Sequence, residues 1–144
     1  MPIIRITPSL SVSPQPDLST FEDLGRQGFT TVLNNRPDDE DVAQPGSAAE
    51  ERAARAAGLA YHHIPVTGGS IGMNDVRAFQ AALAASPGPV LAHCKSGMRS
   101  LTLYAIGEVL DGRLRAADVR SFGEALGFDL RGVEAWLAQH DGAR

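Results

Sequence analysis

A chain of 144 residues, 43% of them hydrophobic, suits one domain spanning 1–144 and is long enough to bury a core, which excludes an intrinsically disordered chain. The formal charge of −4 gives no electrostatic footprint for nucleic acid or an anionic membrane, so an anion has to be captured by local geometry. A single cysteine excludes an internal disulfide and argues against a cysteine-built zinc site.

In chain order, "IIRITPSLSVSPQP" opens with the alternation of a short strand and then breaks at three prolines. "DLSTFEDLGRQGF" starts with Asp and Ser cap candidates and ends near Gly28, a short helix. "TTVLNN" is β-branched and apolar, a buried strand, and "RPDDEDVAQPGS" is an acidic loop of turn formers. Ser47 to Ala57 reads as an amphipathic helix, with Ser47 and Glu50 as a capping box and Gly58 as its stop. "LAYHHIPV" is a second strand, "TGGSIG" a loop, and "MNDVRAFQAALAAS" a helix capped by Asn74. "GPVLAHC" is a third strand, "RSLTLYAIGEVLDG" the helix after it, and "RAADVRSFGEALG" and "DLRGVEAWLAQH" close the chain as helices. Strands alternating with helices predict an α/β fold with a mostly parallel central sheet flanked by helices. The N-terminus lacks an apolar stretch long enough for a signal peptide or a membrane span, so a reducing, cytoplasmic setting is expected.

Ligands of such sheets bind beyond the carboxyl ends of the strands. Three loops follow strands: Arg36 to Asp41, Thr67 to Gly72, and Cys94 to Arg99. In the last, the strand ends at the only cysteine and a helix begins at Ser100. Backbone N–H groups of Lys95, Ser96, Gly97 and Met98 at a helix N-terminus form an anion cradle that needs no net positive charge. Gly97 permits the tight turn, and Arg99 adds a permanently charged fork suited to oxyanions. Helix N-termini and nearby cations also favour the thiolate form of a cysteine, the form that attacks. Ser100 is expected to hydrogen-bond the sulfur or a water. Cys94 and Arg99 are thus the leading candidates for catalysis.

"HCKSGMRS" resembles two signatures. One is the His-Cys-five-residues-Arg-Ser/Thr loop of protein tyrosine and dual-specificity phosphatases. The other is the Cys-x-x-Gly-x-Arg-Ser loop of rhodanese-type sulfurtransferases. Only four residues separate Cys94 from Arg99, which fits the second. The order of "LGRQGFTTVLNNRPDDED", "AARAAGLAYHHIPV" and "GPVLAHCKSGMRS" is similar to small dual-specificity phosphatase domains. From about Thr7 to Gly107 the chain most resembles the phosphatase-like domain of the beta-lactamase hydrolase-like family, which carries "NRPD", "IPV" followed by Gly-Gly, and "CRSGTRS"-like segments. The resemblance implies a cysteine phosphatase-like fold with Cys94 as nucleophile, and a His93 that orients the loop.

The chemistry then turns on an acid. A phosphatase needs a group to protonate the leaving oxygen, worth about 10²–10⁴-fold. Dual-specificity phosphatases place an Asp just after the "IPV"-like strand, and "IPVTGGSIG" holds no carboxylate; Asp75 belongs to a helix's first turn. Asp38 or Asp39 in "RPDDED" is the expected substitute, with Arg36 ordering that loop or binding substrate. The leading expectation is hydrolysis through a cysteinyl-phosphate. A rhodanese-type sulfurtransferase, which forms a persulfide on Cys94 and needs no general acid, is the alternative, and a silent anion-binding pseudoenzyme the third reading. Expected partners are a small anionic substrate or a phosphorylated protein, with a sulfur-metabolism enzyme under the alternative; neither nucleic acid nor a membrane is expected. No cofactor or metal is called for, because His62 and His63 point to opposite strand faces and His140 stands near the terminus.

Overall fold

The computed structural model describes residues 2–140; Met1 and residues 141–144 of the expected 1–144 domain lie outside it. Five strands form one sheet: β1 (Ile4–Thr7), β2 (Leu10–Ser13), β3 (Thr31–Asn34), β4 (Ala60–His63) and β5 (Val90–His93), in the spatial order β1-β2-β5-β3-β4. β1 runs antiparallel to β2, and every other pairing is parallel. The α/β fold with a mostly parallel sheet flanked by helices is therefore present.

Alternation along each strand divides the core into two layers. Val90, Ala92, Leu33, Leu10 and Val12 face one side, where they pack with Val76 and Phe79 of α3 (Met73–Ala85), Leu101 and Ile106 of α4 (Met98–Leu110), Val119 of α5 (Val119–Ala125) and Val133 of α6 (Arg131–Gln139). Leu91 and Val32 face the other side, against Phe21 and Leu24 of α1 (Phe21–Arg26) and Ala54 of α2 (Ser47–Ala56). No described helix is long and apolar enough to cross a membrane.

The alternation before Pro14 predicts one strand, and the structure has two. Leu10–Ser13 is buried throughout and pairs with β5, because Pro8 lies in the turn between β1 and β2 and Pro14 lies beyond the last paired residue. Those prolines delimit the strand without removing a ladder donor. Two helix starts also differ from expectation. α2 is capped from outside by Asp38, which accepts from the Ser47 N–H (2.7 Å) and the Ser47 hydroxyl (2.7 Å); Glu50 points inward. α3 begins after Gly72, whose N–H donates to Asp75 Oδ2 at 2.8 Å, so Asn74 is not its cap. Gly58, at φ +78, ends α2 as expected.

The register aligns the strand ends. Ser13 and Asn34 both sit opposite His93, and His63 sits opposite Asn34. The four segments that leave this row, starting at Pro14, Cys94, Asn35 and Ile64, therefore converge at one edge of the sheet.

Candidate active site

Cys94 follows β5 directly and is fully buried. Gly97 turns the chain at φ +99, a left-handed conformation that favours glycine. A Cβ there would stand 3.4 Å from Phe128 Cζ and from the Ser13 carbonyl oxygen, so the turn is also close-packed. The turn brings the Gly97 N–H to the Cys94 sulfur, to which it donates over 3.1 Å, and α4 starts at the next residue. Lys95 and Ser96 lie on the exposed side of the loop, and Ser96 Oγ accepts from the Met98 N–H at 3.3 Å.

Arg99 lies in the first turn of α4. Its Nη1 donates to Glu40 Oε2 (2.7 Å) and to the Val66 carbonyl (3.0 Å), and its Nη2 donates to Glu40 Oε1 (3.0 Å). The Glu40 hydrogen bonds push the Arg99 pKa up, against burial, and the neighbouring Cys94 sulfur adds in the same direction. On the other side of the pair, the Arg99 hydrogen bonds hold the Glu40 carboxyl down at about 2; burial opposes them and Arg36 assists.

Behind the loop lies a chain of buried polar groups. Arg36 is 3% exposed and donates from Nε to Glu40 Oε1 (3.0 Å) and from Nη1 to Gln15 Oε1 (3.1 Å). The Gln15 amide donates to Glu50 Oε2 at 2.8 Å, and the Gln15 N–H donates to the Lys95 carbonyl at 3.2 Å. Glu50 Oε1 meets His93 Nε2 at 2.7 Å, and His93 Nδ1 meets the Cys94 carbonyl at 3.2 Å. His93 and Glu50 are almost wholly buried, and each of their facing atoms has a partner. Asn35 closes the remaining side: its N–H donates to the His93 carbonyl (2.7 Å), its amide donates to the Ile64 carbonyl (2.9 Å), and its oxygen accepts from Ser100.

The structure thus brings Cys94, Gly97, Met98, Arg99, Ser100 and His93 together and corrects several assignments. Ser100 donates to Asn35 Oδ1 at 2.8 Å and not to the sulfur. Arg36 is buried and orders the acidic loop from within, its guanidinium given to Glu40 and Gln15. Asp38 is committed to the start of α2, where the Ser47 side chain and then the Ser47 backbone lower its pKa. Asp39 is exposed on a backbone at φ +65. The carboxylate that reaches the cysteine loop is Glu40, next in the same run. Glu40, Gln15, Glu50 and Asn35 carry no sequence signal for this role, since their partners are distant in the chain, Arg99 59 residues from Glu40 and Ser100 65 from Asn35.

Beside Arg99 opens a cleft of about 140 Å³, lined by Gly68, Ile71, Met98, Asp129 and Trp136 among others. The Trp136 indole N–H donates to the Ile71 carbonyl at 2.8 Å and so fixes one wall. Among the described residues no cluster of three His, Cys, Asp or Glu is arranged to hold a metal ion.

The family model described as "Beta-lactamase hydrolase-like protein, phosphatase-like domain" matches residues 3–111. A beta-lactamase hydrolase-like protein of Agrobacterium fabrum (strain C58) is 46% identical over 143 residues, covering 99% of this chain and 33% of its own. The chain thus spans about a third of that relative's length. Among solved structures, a Neisseria meningitidis Z2491 protein given as a provisional phosphatase superposes with a TM-score of 0.83 at 30% identity, covering 100% of this chain and 99% of the other. A P. aeruginosa TpbA variant in complex with phosphotyrosine superposes with a TM-score of 0.68 at 22% identity, covering 92% and 80%.

Proposed function

The chain belongs to the phosphatase-like domain family of beta-lactamase hydrolase-like proteins, and from that premise we propose that it hydrolyses phosphate monoesters through a cysteinyl-phosphate on Cys94. The observation that carries this reading is the Gly97 N–H donating to the Cys94 sulfur at the start of α4, with the Arg99 guanidinium alongside. The donors that hold the sulfur are those that would receive phosphoryl oxygens.

In the first step the Cys94 sulfur attacks phosphorus, the S–P bond forms and the P–O ester bond breaks. The leaving oxygen needs a proton. Asp38 caps a helix, Glu40 is held ionised by two arginines, and Glu50 is enclosed behind the loop. Asp129, in the cleft with Arg99 and Met98, accepts from the Arg131 N–H (3.1 Å) and from Arg131 Nε (2.8 Å), bonds that lower its pKa; it is the carboxylate of that cleft and serves as the acid by exchanging Arg131 for the leaving oxygen. In the second step water attacks phosphorus, the S–P bond breaks, inorganic phosphate leaves, and the water proton returns to the same carboxylate. TpbA, with the same fold, binds phosphotyrosine, which favours a phosphorylated protein or small aryl phosphate as substrate.

The test is release of inorganic phosphate from an aryl phosphate by the chain and by Cys94→Ser. Loss of at least 10³-fold in the variant is expected, on the order of what removal of a nucleophile costs. Turnover that survives in Cys94→Ser refutes the assignment. Sulfane-sulfur transfer is the second reading, favoured by the four-residue spacing of Cys94 and Arg99 and by the commitment of Asp38 to Ser47 and of Glu40 to Arg99. Thiocyanate formation from thiosulfate and cyanide without phosphate release would establish it in place of the first.

A further inference from the structure

The donors of Arg99 can be counted. A guanidinium carries five N–H groups, one on Nε and two on each terminal nitrogen. Both hydrogens of Nη1 are engaged, one by Glu40 Oε2 and one by the Val66 carbonyl, and Nη2 gives one to Glu40 Oε1. What remains is the Nε hydrogen and the second Nη2 hydrogen. These two lie along one edge of the planar group, parallel and suited to a pair of oxyanion oxygens. Glu40 thus grips the end of the fork and leaves its Nε–Nη2 side without a hydrogen-bond partner among the described residues, and the Cys94 sulfur lies close enough to the guanidinium to act on it.

Glu40 itself is not loose. Arg36, almost wholly buried, holds Oε1 from behind at 3.0 Å and is in turn tied to Gln15, whose backbone bonds Lys95 in the cysteine loop. Arg99 and the loop it serves are therefore fastened to the same framework. A free arginine side chain would have to surrender rotamer freedom on meeting an anion; this one is already ordered.

We infer that Glu40 is a positioning residue, which fixes the Arg99 guanidinium with its Nε–Nη2 edge turned to the anion that the 94–99 loop receives. The inference rests on the reading of that loop as an anion cradle and deepens it. Glu40 opposes the cradle in charge and supports it in geometry, and the two roles predict opposite results.

The test is titration of sulfate into the chain by calorimetry, with wild type, Glu40→Ala, Glu40→Gln, Arg99→Ala and Glu40→Ala/Arg99→Ala. Sulfate binding is expected to weaken about tenfold or more in Glu40→Ala, as for the loss of a charged hydrogen bond. Glu40→Gln, which keeps one acceptor oxygen, falls between. In the Arg99→Ala background, removal of Glu40 produces no further loss, because its action runs through Arg99. Tighter sulfate binding in Glu40→Ala would make Glu40 a competitor for the fork and overturn the inference. Unchanged binding, or an equal loss in the Arg99→Ala background, overturns it as well. If Glu40→Ala does not fold, the same cycle with Glu40→Gln decides. A wild type that fails to bind sulfate removes the cradle and the inference together. A wild type that shows the expected cycle without releasing phosphate from esters overturns the hydrolase reading alone.

Discussion

Glu40 carries its charge between two guanidinium groups, and that placement has a pH signature. Its folded pKa of about 2 lies below the ordinary 4.5. A group whose pKa is lowered on folding contributes stability that is present in full above the unfolded value and lost as pH falls through the folded one. The urea midpoint of the wild type should therefore fall between about pH 5 and pH 2 more steeply than that of Glu40→Gln. Equal slopes would place Glu40 outside the stabilising network. Asp38, two positions away, has a different task. Asp38→Ala removes the external cap of α2 and should cost about 0.5–2 kcal/mol in denaturant unfolding. Asp129→Asn should slow hydrolysis of alkyl phosphates by about 10²–10⁴-fold, and of esters with acidic leaving groups far less, when rates are compared across leaving groups. Three acids side by side in "RPDDE" illustrate what sequence makes legible at this scale. The run marked a loop that reaches Arg99, yet nothing in residue type distinguishes a helix cap, an exposed turn residue and an arginine partner. The outcome depends on contacts with Ser47 and Arg99, which exist only once the sheet has formed.

At the scale of elements, the cysteine loop and α2 depend on each other. α2 begins on Asp38 of the acidic loop and delivers Glu50 to His93 and Gln15. Removing one member of a buried hydrogen-bonded network leaves the others without partners, so Glu50→Ala should lower unfolding free energy by about 1–3 kcal/mol. A value near zero would mean that water replaces the carboxylate. Within the loop, Gly97→Ala forces a side chain into left-handed backbone against Phe128 and the Ser13 carbonyl. It should cost about 1–2 kcal/mol and weaken sulfate binding. The helices and strands themselves were readable from period and composition. The boundaries that failed were those set by distant groups, as with β2, which is recognised as a strand only through its pairing with β5.

At the scale of the molecule, the α/β alternation and the placement of three loops at the carboxyl ends of the strands followed from sequence, because each loop came after an apolar run. Strand order did not. The row Ser13–His93–Asn34–His63 that brings four loops together is a product of register and of the insertion of β5 between β2 and β3. That insertion also orders events in time. β5 is the last strand in sequence and the one that joins the rest: before residues 90–93 arrive, β1–β2 and β3–β4 are two separate ribbons, each with an open edge. Non-local pairing of this kind is slow, and open edges are prone to misassociation. A nascent chain stopped short of Val90 should therefore remain unfolded or associate, and one that extends through α6, whose Val133 completes the core, should fold. The strand that completes the sheet is the one that leads into Cys94, so the thiol takes its place in the loop only when the fold around it closes.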